Sequence, residues 1–277
     1  MRVTPTEGPV DLKGHTLVLP AIGGLAHLGE LVVDALVTSF KLKRAALIHS
    51  RHLLPVAMAS AWELGVAERG ALALTTAGEL YQSVGAPRLS VLQLRSPVVE
   101  GRRRALAGEL LAWARAAGVG EILVVASCSS HVKVDADLEA STELRYLRVP
   151  SVSSEGPSLG LSQDVLPLGH GLADVLDGSD NLAAARQLLR SSGLARPLLL
   201  LAEEANSSPD AQGLPSVLCL VGLTSDVLNW HVLEHLSRVA CACIAERPAA
   251  AVEAKLQPPP SWRFHAELAA TPLRLWG

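Results

Sequence analysis

The chain has 277 residues, 49 % hydrophobic and 18 % charged, with a mean hydropathy of +0.30 and aromatics at only 3 %. A formal charge of −3 and a pI near 6.3 give no electrostatic case for nucleic acid. No apolar run reaches the length of about 20 residues that a membrane helix needs, and the opening MRVTPTEGPVDLKG lacks a signal peptide's apolar stretch, so a soluble intracellular protein without a membrane partner is expected.

The first strand is predicted in HTLVLPAIGG, a continuous apolar run that ends in Gly23 and Gly24. HLGELVVDALVTSF follows, with Leu28, Leu31, Val32, Ala35 and Leu36 at helical spacing, so the order is strand, tight turn, helix. KRAALIHS (43–50) is expected as a second strand of the fully buried kind. LALTT, GELYQS and RLSVLQLRSP, separated by Gly and Pro, suggest a hairpin or meander that leads back into the main sheet.

ALAGELLAWARAAG is an amphipathic helix stopped by Gly118 at the C′ position, and it runs into the strand EILVVASCSS (121–130). A helix entering a fully apolar strand is the mark of a crossover unit in a parallel sheet. RYLRVP and VSSEGPSLG form a less regular middle, GHGLADVLDG a short helix, ARPLLLLAEE (195–204) another core strand, and EEANSSPDAQG a surface loop. From Ser225 to Glu246 helical spacing returns in Val227, Leu228, Trp230, Val232, Leu233, Leu236, Val239 and Ala240. The tail QPPPSWRFHAELAATPLRLWG opens on three prolines and has no long periodicity. One α/β domain over 1–257 with a Pro-led tail over 258–277 is expected.

HVLEH, His231 to His235, matches the H-x-x-E-H pattern in which two His at i and i+4 grip one zinc and Glu234 acts as general base. No later segment supplies an obvious third carboxylate, and Cys241 and Cys243 are poorly spaced on a helix for a single zinc, so no metal is expected. The four cysteines, Cys128, Cys219, Cys241 and Cys243, sit in apolar segments and suit buried reduced thiols. IGGLAHLGE places glycines where a phosphate could meet a helix N-terminus, but neither G-x-G-x-x-G nor a P-loop is present, and turn glycines account for it. Ser127, Ser129, Ser130 and His131 lie past a strand's carboxyl end, where α/β ligand sites form. No nucleophile elbow surrounds the serines, and Cys128 has no recognisable base beside it, so capping and loop hydrogen bonds are the simpler role. The basic run Arg102 to Arg104 reads as a solvated face. Neither a catalytic centre nor a cofactor is expected.

Taken together, DLKGHTLVLPAIGGLAHLGELVVDALV, RLSVLQLRSPVV, LLAWARAAGVGEILVVASCSSH, STELRYLRVPS, PLGHGLADVL, NSSPDAQGL and PPSWRFHAELAATPLRLWG resemble the proteasome assembly chaperone 2 family, in the family's order. The resemblance implies a non-catalytic chaperone of 20S proteasome assembly in the cytoplasm and nucleus. It implies a heterodimer with proteasome assembly chaperone 1 that sits on the proteasome α-subunits, promotes α-ring formation and prevents off-pathway α-ring dimerisation. The implied fold is a three-layer α/β sandwich with a mostly parallel central sheet, similar to the phosphorylase-like kind, plus an extended C-terminal tail.

Proteins that dock on the α-ring commonly end in a hydrophobic residue, a tyrosine and one last residue inserted between neighbouring α-subunits, and the resemblance implies such an anchor here. Leu275, Trp276 and Gly277 stand in those places here, with Trp276 lacking the tyrosine hydroxyl. The passage PSVLCLVGLTSDVLNWHVL is longer than the family's usual one, which leaves the local fold of 214–235 open. A phosphorylase-like or metal-dependent hydrolase is the alternative. An enzyme would need convergent polar groups in a pocket, and a chaperone a broad apolar partner surface.

Overall fold

The computed structural model describes residues 1–6, 8–59, 74–85, 87–132, 142–151, 165–167, 189–208, 213–225, 227–245, 257 and 259. Eleven strands are described: β1 (Arg2–Pro5), β2 (Thr16–Pro20), β3 (Lys43–His49), β4 (Ala57–Ala59), β5 (Leu74–Thr76), β6 (Gly78–Gln82), β7 (Leu89–Leu94), β8 (Glu121–Ser129), β9 (Leu144–Val149), β10 (Leu166–Pro167) and β11 (Ser216–Thr224). Four α-helices accompany them: α1 (Leu28–Ser39), α2 (Arg103–Ala116), α3 (Ala195–Asn206) and α4 (Trp230–Ala245).

Nine strands form one mixed sheet in the order β1-β3-β6-β7-β2-β8-β11-β9-β10, and β4 pairs with β5 in a separate ribbon. The centre, β7-β2-β8-β11, is parallel throughout. On one flank β1, β3 and β6 pair antiparallel up to β7, and on the other β9 runs antiparallel to β11 before a short parallel pairing with β10. The parallel part is therefore the centre, and the flanks are mixed.

Both faces of the central strands are apolar because both are covered. Ile122, Val124, Ala126 and Cys128 of β8, with Val217, Cys219 and Val221 of β11, pack beneath α2 and α3. The alternate residues Leu123, Val125, Leu218 and Leu220 pack beneath α1 and α4. Helices on both faces give three layers. Gly29 allows α1 its close approach to the sheet, since a Cβ there would stand 2.5 Å from the Val125 carbonyl oxygen. Gly118, at φ +70°, follows the Ala117 C-cap and ends α2 in the left-handed conformation that glycine adopts without strain.

Three expectations are corrected. The run 195–204 is not a strand but most of α3, with Ala195, Leu198, Leu199 and Ala202 buried at helical spacing and Pro197 in the first turn, where its missing N–H is not needed. The same helix carries Glu203 to Asn206, where the polar run EEANSSPDAQG predicts a surface loop. Strand β3 is not fully buried: Lys43, Arg44 and His49 are exposed, because it lies in the antiparallel flank rather than the covered centre. The open passage 214–235 contains β11, buried at all nine positions, followed by the start of α4. The short helix expected in GHGLADVLDG lies outside the described residues. Among the described residues no helix is long and apolar enough to cross a membrane.

Candidate functional site

A cleft of about 310 Å³ opens at the carboxyl ends of β2 and β7, the place where open α/β sheets bind ligands. Its floor is polar. Asp34, in the middle of α1 and 3 % exposed, meets Arg95, just past β7. Arg95 donates from Nη2 to Asp34 Oδ1 at 2.6 Å and from Nη1 to Oδ2 at 3.1 Å. The fully buried Gln93 donates its amide to the same carboxylate and, at 3.1 Å, to the Glu30 carbonyl. Burial pushes the Asp34 carboxyl up to about 6, although Arg95 and Gln93 both pull it down.

The rim comes from the glycine-rich turn. Gly23 has φ +78°, and two non-glycine residues, Ala26 at φ +53° and His27 at φ +52°, also take the left-handed conformation before α1 begins. Each such residue costs about 1–3 kcal/mol and persists only where its surroundings hold it. Ser127 helps hold them here, its hydroxyl donating to the Leu25 carbonyl at 2.8 Å. His27 Nδ1 lies 3.5 Å from Glu30 Oε1, and that hydrogen bond raises the imidazole pKa. The remaining wall is apolar: Ile22, Leu31, Met58 and Pro97. Glu30, the acidic residue of the first turn of α1, lines the cleft beside the glycine-rich turn, so this turn is poorly built for phosphate.

In the cleft floor Gln93 and Arg95 are both bonded to Asp34. Among the described residues that line the cleft, the one hydroxyl group, on Ser96, donates to the Leu54 carbonyl, and there is no cysteine or lysine. The serines considered from sequence do structural work. Ser129 Oγ accepts from the His131 amide at 3.3 Å, and Ser191 Oγ accepts from the Ser129 amide at 3.1 Å. Cys128 sits 3.6 Å from Ser191 Oγ and is held as a thiol by burial, which raises its pKa. All four cysteines are buried and none is in a disulfide, and burial pushes Cys241 up to about 12.

HVLEH occupies the first turns of α4, with Asn229 Oδ1 accepting from the His231 amide at 3.0 Å as an N-terminal cap. Its Glu234 pairs with Arg238 one turn on, and among the described residues no three His, Cys, Asp or Glu side chains converge as a metal site. Arg102 to Arg104 are exposed, and Arg104 reaches Glu204 across the α2–α3 contact at 2.5 Å. Leu275, Trp276 and Gly277 lie outside the described residues.

Sequence reasoning missed Asp34, Gln93 and Arg95. A signal was present: Asp34 interrupts the buried run VVDALV, and Gln93, near the end of β7, and Arg95, just past it, are polar residues two apart after the apolar run Val91–Leu92.

Comparison with known proteins agrees with this architecture. The archaeal proteasome activator PbaB of Pyrococcus furiosus superposes with a TM-score of 0.58 at 12 % identity, covering 97 % of each chain. PbaA of the same organism, described as an archaeal homolog of proteasome-assembly chaperone, gives 0.56 at 10 % identity, covering 97 % of this chain and 94 % of that one. In sequence, the chain is 26 % identical over 155 residues to proteasome assembly chaperone 2 of Danio rerio, covering 56 % of this chain and 58 % of that protein. It is 32 % identical over 148 residues to proteasome assembly chaperone 2 of Nematostella vectensis, covering 53 % and 58 %. The human protein of that name is 27 % identical over 146 residues, 53 % of each. The chain thus spans about half the length of the curated relatives it matches. The sequence profile of the PAC2 family matches residues 19–214, from β2 to the threshold of β11, and the chain belongs to that family.

Proposed function

We propose that this protein is a non-catalytic chaperone of 20S proteasome assembly. It works as a heterodimer with proteasome assembly chaperone 1, promotes α-ring formation on the proteasome α-subunits and prevents off-pathway α-ring dimerisation. The observation that carries the reading is the PAC2 profile over residues 19–214, joined to relatives that all bear the name proteasome assembly chaperone 2. Under the same reading the sheet with two helical layers is of the phosphorylase-like kind without its active site. Residues 258–277 form a tail whose Leu275, Trp276 and Gly277 anchor on the α-ring, and the protein works in cytoplasm and nucleus.

The test is co-expression of the full chain with proteasome assembly chaperone 1 of the same species. Sedimentation should give a 1:1 complex that retains proteasome α-subunits. Two chains that sediment separately, with no α-subunit retained by either mixture, would sink the reading.

A further inference from the structure

The edge of the sheet opposite the cleft is positively charged. The parallel strands β2, β7, β8 and β11 all begin there, with Thr16 level with Leu89 and Glu121, and Glu121 level with Ser216. The antiparallel β6 ends there at Gln82, which pairs with Lys43, the first residue of β3. Helix α1 leads back from the cleft and reaches the same edge at Ser39.

Four exposed cations follow one another along this edge: Arg88 before β7, Lys13 before β2, and Lys43 and Lys41 at the start of β3. The turns that carry them are joined. Arg88 Nη1 donates to the Lys13 carbonyl at 3.3 Å, and Gln82, beside Lys43, donates from Nε2 to the Asp11 carbonyl at 2.8 Å. In the segments 11–15, 41–43 and 83–88 Asp11 is the one acid, although the whole chain has a formal charge of −3. The excess of positive charge is therefore local.

Lys41 is also unusual in its backbone. It takes φ +50° in the turn after α1, a conformation that glycine adopts without strain and lysine does not. Residues held in this way collect at functional sites. Val84, on the β6–β7 turn at the same edge, is 85 % exposed and offers an apolar contact among the charges.

The C-terminal segment leaves from this edge. The Gln257 amide donates to Ser39 Oγ at 2.8 Å and Pro259 is buried, so the approach to the tail is seated two residues from Lys41. Glu30 and the cleft lie at the far end of α1, about 14 Å away at 1.5 Å per residue.

From this we infer that the edge carrying Lys13, Lys41, Lys43 and Arg88 is the surface that meets an acidic face of the proteasome α-ring beside the tail. The inference rests on the α-ring reading above and adds a second contact to it. A tail that starts at this edge and binds the ring brings the edge against the ring. The excess of cations then selects carboxylate-rich ground, setting orientation and association rate more than final affinity.

The experiment measures binding of purified α-rings to the full chain, with proteasome assembly chaperone 1 present, at low and at high salt. Two charge reversals are compared with wild type: Lys41→Glu with Lys43→Glu, and Lys13→Glu with Arg88→Glu. Arg51→Glu with Arg102→Glu is the control, the same change of charge at exposed residues past the opposite ends of the strands. Thermal melts accompany each, to separate binding from folding. Each reversal is expected to weaken ring binding about tenfold at low salt and to flatten its salt dependence, while the control stays within about twofold. Binding of chaperone 1 should not change. If both reversals match wild type at both salt concentrations, the edge is overturned and the assembly reading stands. If they lose chaperone 1 instead of the ring, the edge is the heterodimer face and the inference fails. If wild type itself does not bind α-rings, the α-ring reading and this surface fall together.

Discussion

Arg95 grips Asp34 at two points, with Nη2 2.6 Å from Oδ1 and Nη1 3.1 Å from Oδ2, across the contact between α1 and the end of β7. The pair is nevertheless one in which burial outweighs attraction at the carboxyl group, which rises from 3.8 to about 6. A folded-state pKa above the unfolded one means that the folded chain holds the proton more tightly. The contribution of Asp34 is therefore whole below the unfolded value and declines as pH rises through about 6. Melting curves across this window should show wild type losing ground to Asp34→Asn as pH rises. Arg95→Met should fall behind wild type most at neutral pH, by about 2–4 kcal/mol, because the buried acid then lacks its cation. A wild type that gains on Asp34→Asn with rising pH would mean that the ion pair outweighs burial.

Glu79 is the second buried acid with a distinct role, since Thr75, Thr76, Tyr81 and Arg44 all donate to it. Glu79→Ala strands those donors and is expected to cost about 3 kcal/mol or more, with Glu79→Gln milder because it keeps one acceptor. Hydrogen exchange at the Thr76 amide should speed up in the Ala variant. A variant within about 0.5 kcal/mol of wild type would show that the hub is dispensable.

For HVLEH, purified untagged protein is expected to carry no stoichiometric zinc, because Glu234 is paired with Arg238 and His231 is exposed on α4. Elemental analysis decides it. One zinc per chain that disappears on changing His231 and His235 together would revive the hydrolase.

Deleting Leu275, Trp276 and Gly277 tests the tail. Stability and heterodimer formation should hardly change, while affinity for the α-ring falls by about 1–3 kcal/mol, as for loss of an aromatic anchor. Unchanged ring binding with a clear drop in melting temperature would mean that Trp276 packs on its own protein.

Much of this was legible in one dimension, for a physical reason. In β2, α1, α2 and β8 the local pattern and the tertiary demand coincide. Leu28, Val32 and Leu36 repeat at the helical period that buries them, and EILVVASCS is apolar on both sides because helices cover both faces of β8. Where an apolar run is short, period alone does not separate a strand from a buried helix. ARPLLLLAEE became α3 because Leu198, Leu199 and Ala202 found the groove beside α2, and the open passage after 214 became β11 because the parallel centre had room beside β8. The cleft belongs wholly to the tertiary structure. Asp34 and Arg95 are 61 positions apart, and neither carries a motif. What the sequence by itself determined is the layered α/β character and the family; only the folded chain decided which polar groups meet, because a contact between α1 and β7 depends on strand order and not on spacing along the chain.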